Sequence, residues 1–242
     1  MRIVPAVDIR DGFCVNLVQG DYAQETVFSD DPVTQAETWW EALGKQGIVH
    51  IVDLDGAMEG YCCVDKELLA LQDLGIRYEV GGGIRDMDTV DTVMGSGADR
   101  VILGTAAHND PDLLKQACAK YPGKVAVGID ARAGKVSLAA WLEDTDTDAV
   151  AFAKQVEQAG AARIIYTDIL SDGMMKGPNY DATRAVAEAV GIPVTLSGGV
   201  SSLDNIRDAR ALEAAGVDEI IIGRALYLGA FTIAEAIAAA NG

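Results

Sequence analysis

The chain has 242 residues, half of them hydrophobic, and a formal net charge of −18. The hydrophobic half can fill a sizeable core, while the acidity argues against nucleic acid as a partner, because phosphate backbones need basic surfaces. Small phosphorylated ligands stay possible, since backbone N–H groups can hold them locally. No uncharged apolar run of about 18 residues is present, so no membrane span or membrane partner is predicted. An N-terminus without an export signal favours the cytoplasm.

Strands and helices are predicted in strict alternation along the chain. Apolar or β-branched runs predict strands at residues 2–8, 49–54, 77–80, 100–104, 124–130, 163–168, 193–198 and 219–223. Helical patterns between them cover 32–46, 64–74, 86–96, 110–120, 147–159, 181–190, 203–215 and 229–240. Asp31 and Asp110 each precede a proline as helix caps. Glycines mark four helix ends, at Gly75, Gly160, Gly191 and Gly216.

Eight such units predict a parallel sheet. In about 240 residues they fit a closed α/β barrel better than an open doubly wound sheet, which is the alternative. No linker or change of composition divides the chain. We therefore expect one (β/α)₈ TIM barrel domain over residues 1–242.

A weak internal repeat relates the two halves of the chain, with matching positions 115 to 122 residues apart. Aspartates end matching strands, and glycines follow matching strands. The pairs are Asp8 with Asp130, Asp53 with Asp168, Gly82-Gly83 with Gly198-Gly199, and Gly104 with Gly223. The repeat predicts a barrel built from two similar half-barrels.

The repeated glycines predict two phosphate sites. Active sites of such barrels lie at the carboxyl ends of the strands, where glycine lets backbone N–H groups approach an oxyanion. One half supplies Gly198, Gly199, Gly223 and Arg224, and the other supplies Gly82, Gly83, Gly104 and Thr105. Two facing sites imply a small substrate with a phosphate at each end. The alternative is that these glycines only form tight turns.

Carboxylates are the candidates for acid–base chemistry. His50 opens the second strand at the bottom of the barrel and His108 lies beside the fourth helix, so both are interpreted as structural. Asp8 and Asp130 end opposite strands, and Asp172 follows the sixth strand. Neighbouring buried carboxyls can have well-separated pKa values, so that one acts as base and another as acid. An acid and a base of this kind would support an aldose–ketose isomerisation without metal or cofactor. The alternative is that these aspartates cap helices or form a structural ion pair.

Motifs over essentially the whole chain resemble the isomerases of histidine biosynthesis. They are VDIRDG (7–12), VQGDY (18–22), VDLDGA (52–57), VGGGIR (80–85), ILGTAA (102–107), TDILSDG…GPN (167–179), SGGVSS (197–202) and IIGRALY (221–227). The resemblance implies an Amadori rearrangement of phosphoribosyl-formimino-aminoimidazole-carboxamide ribotide, an aminoaldose with two phosphates, to its aminoketose, without a cofactor.

The resemblance also implies roles for single residues. Asp8 matches the general base that takes the C2′ proton, and Asp130 matches the usual proton donor. Asp172 matches a carboxylate that is the alternative acid, and Thr167 matches a threonine that holds the reacting sugar.

Loop residues match in part. Gln19 and Gly20 fall among the substrate-binding positions, and Trp141 matches an aromatic that stacks on the imidazole, with packing on the barrel rim as the alternative. Three positions depart from the pattern: Asn16 stands for arginine, Ala140 for glycine, and Met174-Met175 for Thr-Leu.

Four hypotheses follow. The first is the isomerase with this single substrate. The second is an isomerase that also accepts phosphoribosyl-anthranilate, which Asn16 weakens. The third is the sister cyclase of the pathway, weakened by Val7 and Gln19 where cysteine and lysine are expected. The fourth is a barrel that only binds phosphorylated ligands or a partner. The four cysteines are expected to be reduced thiols, and the protein a monomer.

Overall fold

The computed structural model describes all residues, Met1–Gly242. Its strands are β1 (Arg2–Arg10), β2 (Phe13–Val18), β3 (Asp21–Ser29), β4 (Val49–Asp53), β5 (Tyr78–Gly81), β6 (Arg100–Leu103), β7 (Val125–Arg132), β8 (Lys135–Leu138), β9 (Glu143–Asp148), β10 (Arg163–Asp168), β11 (Val194–Ser197) and β12 (Val217–Ile222). Eight of them pair in parallel in the order β10-β11-β12-β1-β4-β5-β6-β7, and β7 pairs with β10 to close the ring. The predicted (β/α)₈ barrel is confirmed, and the open sheet is wrong.

Helices surround the barrel. They are α1 (Pro32–Ala42), α2 (Leu54–Glu59), α3 (Asp65–Asp73), α4 (Met87–Gly95), α5 (Thr105–Asn109), α6 (Pro111–Lys120), α7 (Ala149–Gln158), α8 (Tyr180–Glu188), α9 (Leu203–Ala209), α10 (Arg224–Tyr227) and α11 (Ile233–Asn241). The predicted helix at 203–215 passes into a 3₁₀ helix, Arg210–Ala215, after α9. The short helices α2, α5 and α10 were not predicted. None of the helices combines the length and apolarity needed to cross a bilayer.

The predicted helix caps form. The Asp31 carboxylate accepts the backbone N–H of Thr34, and the Asp110 carboxylate accepts that of Leu113, both at 3.0 Å. Each bond satisfies an N–H that the first helical turn leaves unpaired. Gly75, Gly160 and Gly216 adopt positive φ at helix ends, whereas Gly191 does not.

Two antiparallel arms leave the barrel at equivalent points of its two halves. β2 folds back on β1 and pairs with β3, and β8 folds back on β7 and pairs with β9. Both outer strands are mostly exposed and polar. They therefore lack the apolar pattern that predicts a strand, and backbone pairing to the inner strand of each arm holds them in place.

A small apolar layer fills the barrel interior below its mouth. Its members are Val4, Ala6, Ile102, Ala126, Ile165 and Ile221, contributed by β1, β6, β7, β10 and β12. A larger apolar shell packs the outer faces of the strands against the helices. The interior is therefore a packed floor rather than a channel.

Charged side chains form a network at the bottom of the barrel. Glu219, which is 1% exposed, contacts Arg100 at 3.0 Å and Arg163 at 3.1 Å. Arg100 also contacts the fully buried Glu79 at 2.7 Å, and Glu79 contacts His50 at 2.8 Å. Burial would raise the pKa of Glu79, but the hydrogen bond from His50 and the charges of His50 and the arginines hold it below its usual value.

Candidate active site

One cavity opens at the carboxyl ends of the barrel strands, the end where such barrels carry their sites. It brings together every predicted site residue except Gln19. These residues are Asp8, Gly20, Gly82, Gly83, Gly104, Thr105, Asp130, Trp141, Thr167, Asp172, Gly198, Gly199, Gly223 and Arg224. Their separation in the sequence shows that both half-barrels contribute to a single site.

Asp8 lies near the mouth end of β1, half-buried in the wall of the cavity. Burial raises the pKa of Asp8 to about 6, although the charge of His50 and hydrogen bonding by the Asn16 side chain lower it. At neutral pH most Asp8 side chains are therefore ionised. An ionised carboxylate out of bulk water can act as a general base.

Asp130 occupies the equivalent place on β7, four strands from β1 in either direction around the ring. The two aspartates therefore face each other across the mouth, as predicted. Burial raises the pKa of Asp130, while hydrogen bonds from Trp141 and Thr167 and the charge of His50 act to lower it. Thr167, only 7% exposed, thus serves to position a carboxylate as well as to line the cavity.

Asp172 lies in the loop after β10. Burial and the negative charges of Asp8 and Asp130 raise the pKa of Asp172 to about 7, against the lowering effects of the Gly173 backbone N–H and the Arg224 charge. Three carboxyl groups therefore share one cavity and repel one another. Asp172 therefore holds its proton to a higher pH than an ordinary aspartate, as an acid catalyst requires.

Two glycine pairs form matching turns on opposite sides of the mouth. Gly82 and Gly83 follow β5, and Gly198 and Gly199 follow β11, and all four have positive φ, between 68° and 116°. A Cβ atom on Gly199 would lie 2.5 Å from the carbonyl oxygen of Gly177. Because that space and that conformation exclude side chains, both turns expose backbone to the cavity.

The next turn of each half is also matched. Gly104 has φ −105° and ψ −104°, and Gly223 has φ −106° and ψ −97°. They begin the short helices α5 and α10, neither of which has a side-chain cap at its N-terminus. The first N–H groups of both helices therefore remain available to an anion.

One arginine stands at each pair of glycine turns. Arg85 follows the first pair and donates from Nη2 to the carbonyl of Ala57 at 3.1 Å. Arg224 begins α10 and donates from Nη1 to the carbonyl of Gly173 at 3.1 Å. Each end of the cavity thus offers a guanidinium beside backbone N–H groups, which is the chemistry that binds phosphate.

The two arms meet above the mouth. Trp141, between β8 and β9, has φ 68° and follows Ala139 and Ala140, which also have positive φ. Its ring packs on Gly20, between β2 and β3, where a Cβ atom would collide with the ring. The arms therefore partly cover the space between the carboxylates.

Paired aspartates shape the loops behind the glycine turns. Asp53 accepts the backbone N–H groups of Gly56 at 2.7 Å and Cys63 at 2.6 Å. Asp168 accepts the backbone N–H of Ser171 at 3.0 Å. These carboxylates hold loops. No group of three or more His, Cys, Asp and Glu side chains is arranged to share a metal ion.

Comparison with known families decides the assignment. The model of the histidine biosynthesis protein family matches residues 2–232. The chain belongs to this family.

Curated relatives agree over nearly full length. Proteins from Trichlorobacter lovleyi, Geotalea daltonii and Syntrophotalea carbinolica are 48%, 49% and 45% identical to this member of the histidine biosynthesis family. The alignments cover 98%, 98% and 100% of this chain and 96%, 97% and 99% of the relatives. Each relative is named 1-(5-phosphoribosyl)-5-((5-phosphoribosylamino)methylideneamino)imidazole-4-carboxamide isomerase.

Two predicted binding residues have further roles in this histidine biosynthesis family member. Gln19 does not line the cavity: its side chain donates to the Leu170 carbonyl at 2.8 Å, and its backbone N–H donates to the Asp172 carbonyl at 3.2 Å. It therefore fixes the loop that carries Asp172. The Thr105 hydroxyl, which does line the cavity, accepts the backbone N–H of Ala139 at 2.9 Å and so anchors the second arm.

Several residues that line the cavity were not predicted for the site, among them Arg85, Asn16 and His50. Arg85 ends the VGGGIR motif, where its charge beside the glycines indicates an anion site. Asn16 is one of the departures from the family pattern, and His50, interpreted as structural, both joins the ion network and lines the cavity. His108 lies outside the cavity lining and bonds Asn109 and Thr147.

Proposed function

We propose that the protein is the isomerase named in its relatives, converting the bisphosphorylated aminoaldose to its aminoketose. The observation that carries this proposal is the pair of matching glycine turns, each with one arginine, on opposite sides of a cavity that holds three interacting carboxyl groups. A ligand with a phosphate at each end would bridge the turns. Its reacting sugar would then lie over the carboxylates.

The reaction begins with an acid. Protonation of the ring oxygen breaks the C1′–O4′ bond and leaves a protonated imine between C1′ and the nitrogen. We propose Asp172 as the donor, because burial and two negative neighbours raise its pKa to about 7. Asp130, the donor predicted from the sequence, is the competing assignment, since burial raises its pKa too.

A base completes the rearrangement. Asp8 removes the proton from C2′, and the electron pair of that bond moves to form a C1′=C2′ double bond as the imine nitrogen becomes a neutral amine. The resulting enaminol gains a proton at C1′ and loses the proton of its C2′ hydroxyl, which gives the ketone. The nitrogen lone pair drives the ring opening, and the protonated imine then takes up the electron pair released at C2′, so the residues supply only positioning and proton transfer.

The first experiment measures turnover of the purified protein on the histidine-pathway aminoaldose, with phosphoribosyl-anthranilate assayed separately. Turnover of the aminoaldose alone supports the proposal, and turnover of both identifies the dual-substrate isomerase. A folded protein that binds the aminoaldose without converting it would contradict the proposal and favour the non-catalytic barrel.

Substitution then assigns the acid. We expect Asp8→Asn to reduce kcat by roughly 10²-fold or more with binding of the product largely retained. Asp172→Asn should give a loss of the same order and remove the basic limb of the pH profile. If Asp130→Asn removes that limb instead, the donor is Asp130.

We also propose that one chain is the working unit, folded as a single domain over residues 1–242, because both ends of the cavity come from the same barrel. Sedimentation at the assay concentration, with turnover per chain independent of dilution, checks this. The cytoplasmic location stays a prediction from the sequence.

A further inference from the structure

His50 joins the ion network at the bottom of the barrel to the cavity above it. Its ring lines the cavity, and Nδ1 lies 2.8 Å from a carboxylate oxygen of Glu79. Glu79 is fully buried and contacts Arg100 at 2.7 Å, so the ring orientation is fixed from below. Nε2 has no hydrogen-bond partner in the chain. One ring nitrogen is therefore anchored while the other remains uncommitted.

Strand register places His50 one layer beneath Asp8. His50 pairs with Ala6 across β1 and β4, and Asp8 pairs with Val52. Alternate residues of a strand face the same side, so all four of these residues point into the barrel and line the cavity. From strand spacing, the Cα atoms of His50 and Asp8 are about 8 Å apart, within reach of a charge–charge interaction at low dielectric.

The surroundings of Asp8 leave few groups that could set its charge. From β2 it is faced by neutral Asn16 and by Cys14, whose pKa burial raises to about 11. From β3 it is faced by Tyr22 and from α10 by Tyr227, and burial raises the pKa of both phenols. Neither the thiol nor the phenols ionise near neutral pH. The loop after β10 contributes Asp172, a negative charge when ionised.

Three acidic groups face His50, and two arginines lie beyond one of them. The acidic groups are Glu79 on β5, Asp8 on β1 and Asp130 on β7; Arg100 on β6 and Arg163 on β10 act on Glu79. The charge of His50 lowers the pKa of both aspartates at the mouth.

We propose that His50, held by Glu79, is a positioning residue that keeps Asp8 ionised for its work as base. The role of Asp8 in this statement rests on the proposed function, whereas the electrostatic coupling of His50 to Asp8 does not. The network at the bottom of the barrel then has a second role besides stability, because it orients the His50 ring that lies under Asp8.

The coupling can be measured without any substrate. Carbon-13 NMR follows the side-chain carboxyl carbon of Asp8, which is assigned as the aspartate signal lost in Asp8→Asn. His50→Gln should raise the titration midpoint of that carboxyl by roughly half a pH unit or more, whereas His108→Gln should leave it unchanged. An unchanged midpoint in His50→Gln would overturn the proposal whatever the enzyme does.

Kinetics test the consequence for catalysis. If His50→Gln raises the pKa of Asp8 by about one unit, kcat/KM falls about fivefold at pH 6 and is unchanged at pH 9, because the ionised fraction at pH 6 drops from about one half to about one tenth. His108→Gln is the matched control, since His108 bonds only Asn109 and Thr147, and its profile should overlay that of wild type.

The outcomes separate the two proposals. A wild-type protein that turns over neither substrate, while the Asp8 titration responds to His50→Gln, leaves the coupling intact and contradicts the proposed function. If His50→Gln is active, its acidic limb lies at the same pH as in wild type and only its Tm is lowered, the inference is contradicted and the proposed function stands. His50→Asn, with a shorter amide, repeats the kinetic test if His50→Gln does not fold.

Discussion

Replacing Asp172 by asparagine should make the protein more stable while it lowers kcat by roughly 10²-fold or more. In the folded chain, burial and the charges of Asp8 and Asp130 raise the pKa of Asp172 from 3.8 to about 7. Below pH 4 the group is protonated both folded and unfolded, so it contributes no difference. As pH rises from 4 to 7 the unfolded chain releases the proton and the folded chain retains it, so wild-type stability falls across this window and then stays level.

The magnitude follows from the shift. About three pKa units at roughly 1.4 kcal/mol each amount to about 4 kcal/mol at pH 8. Part of this comes from carboxylates that also respond to the change, so we expect a gain of about 2–4 kcal/mol at pH 8 and almost none at pH 4. This is a large part of the roughly 5–15 kcal/mol that stabilises a typical domain.

Urea unfolding of wild type and Asp172→Asn at intervals between pH 4 and pH 9 provides the assay. Asp8→Asn is a graded control: its pKa is raised to about 6, so about two units predict a gain of up to about 3 kcal/mol at pH 8. A gain of equal size at every pH, or a loss of stability at pH 8, would refute the electrostatic reasoning.

Three further changes test other parts of the structure. Arg163→Ala should lower the unfolding free energy by about 3–5 kcal/mol, because it leaves the buried Glu219 short of a partner; a change below about 1 kcal/mol in urea unfolding would contradict this. Gly199→Ala should raise KM at least tenfold with a smaller effect on kcat, because the backbone at φ 86° must shift; steady-state kinetics at saturating substrate separate the two, and an unchanged KM would exclude this turn from binding. Asn16→Leu should be no less stable than wild type, since the buried Asn16 Oδ1 has no partner, yet should lose kcat/KM at pH 6 as Asp8 loses its amide; a lowered Tm with unchanged kcat/KM would reverse this reasoning.

Much of the architecture could be predicted because local pattern and global fold agree. Each barrel strand contains a buried apolar run, and at least one helix follows it before the next barrel strand or the end of the chain. The arms could not be predicted this way. The segment Glu143–Asp148 reads EDTDTD, and it is a strand only because β8 supplies its backbone hydrogen bonds.

The candidate site shows the same division. Asp8 and Asp130 could be predicted as site residues because a carboxylate at the end of an apolar strand is costly to bury unless it has a partner or a function. Gln19 and His50 could not be placed, since their roles depend on contacts with Leu170 and Glu79, 151 and 29 residues away in sequence. No pattern within a strand or helix carries that information.

The backbone turns in the two halves of the cavity match closely, so only a few unmatched residues can determine the orientation in which a ligand binds. The backbone turns repeat closely, so a molecule with a phosphate at each end meets similar cradles whichever way round it enters. Asp172 has Ala57 at its equivalent position, 115 residues earlier, and Arg224 has Thr105 at its own. A reversed ligand would occupy both cradles but present its unreactive ribose to the acid. Substrate and product analogues should therefore bind, and inhibit, in two orientations. In an Ala57→Asp variant both halves of the cavity would carry a carboxyl group at this position, so the two orientations of the ligand would differ less.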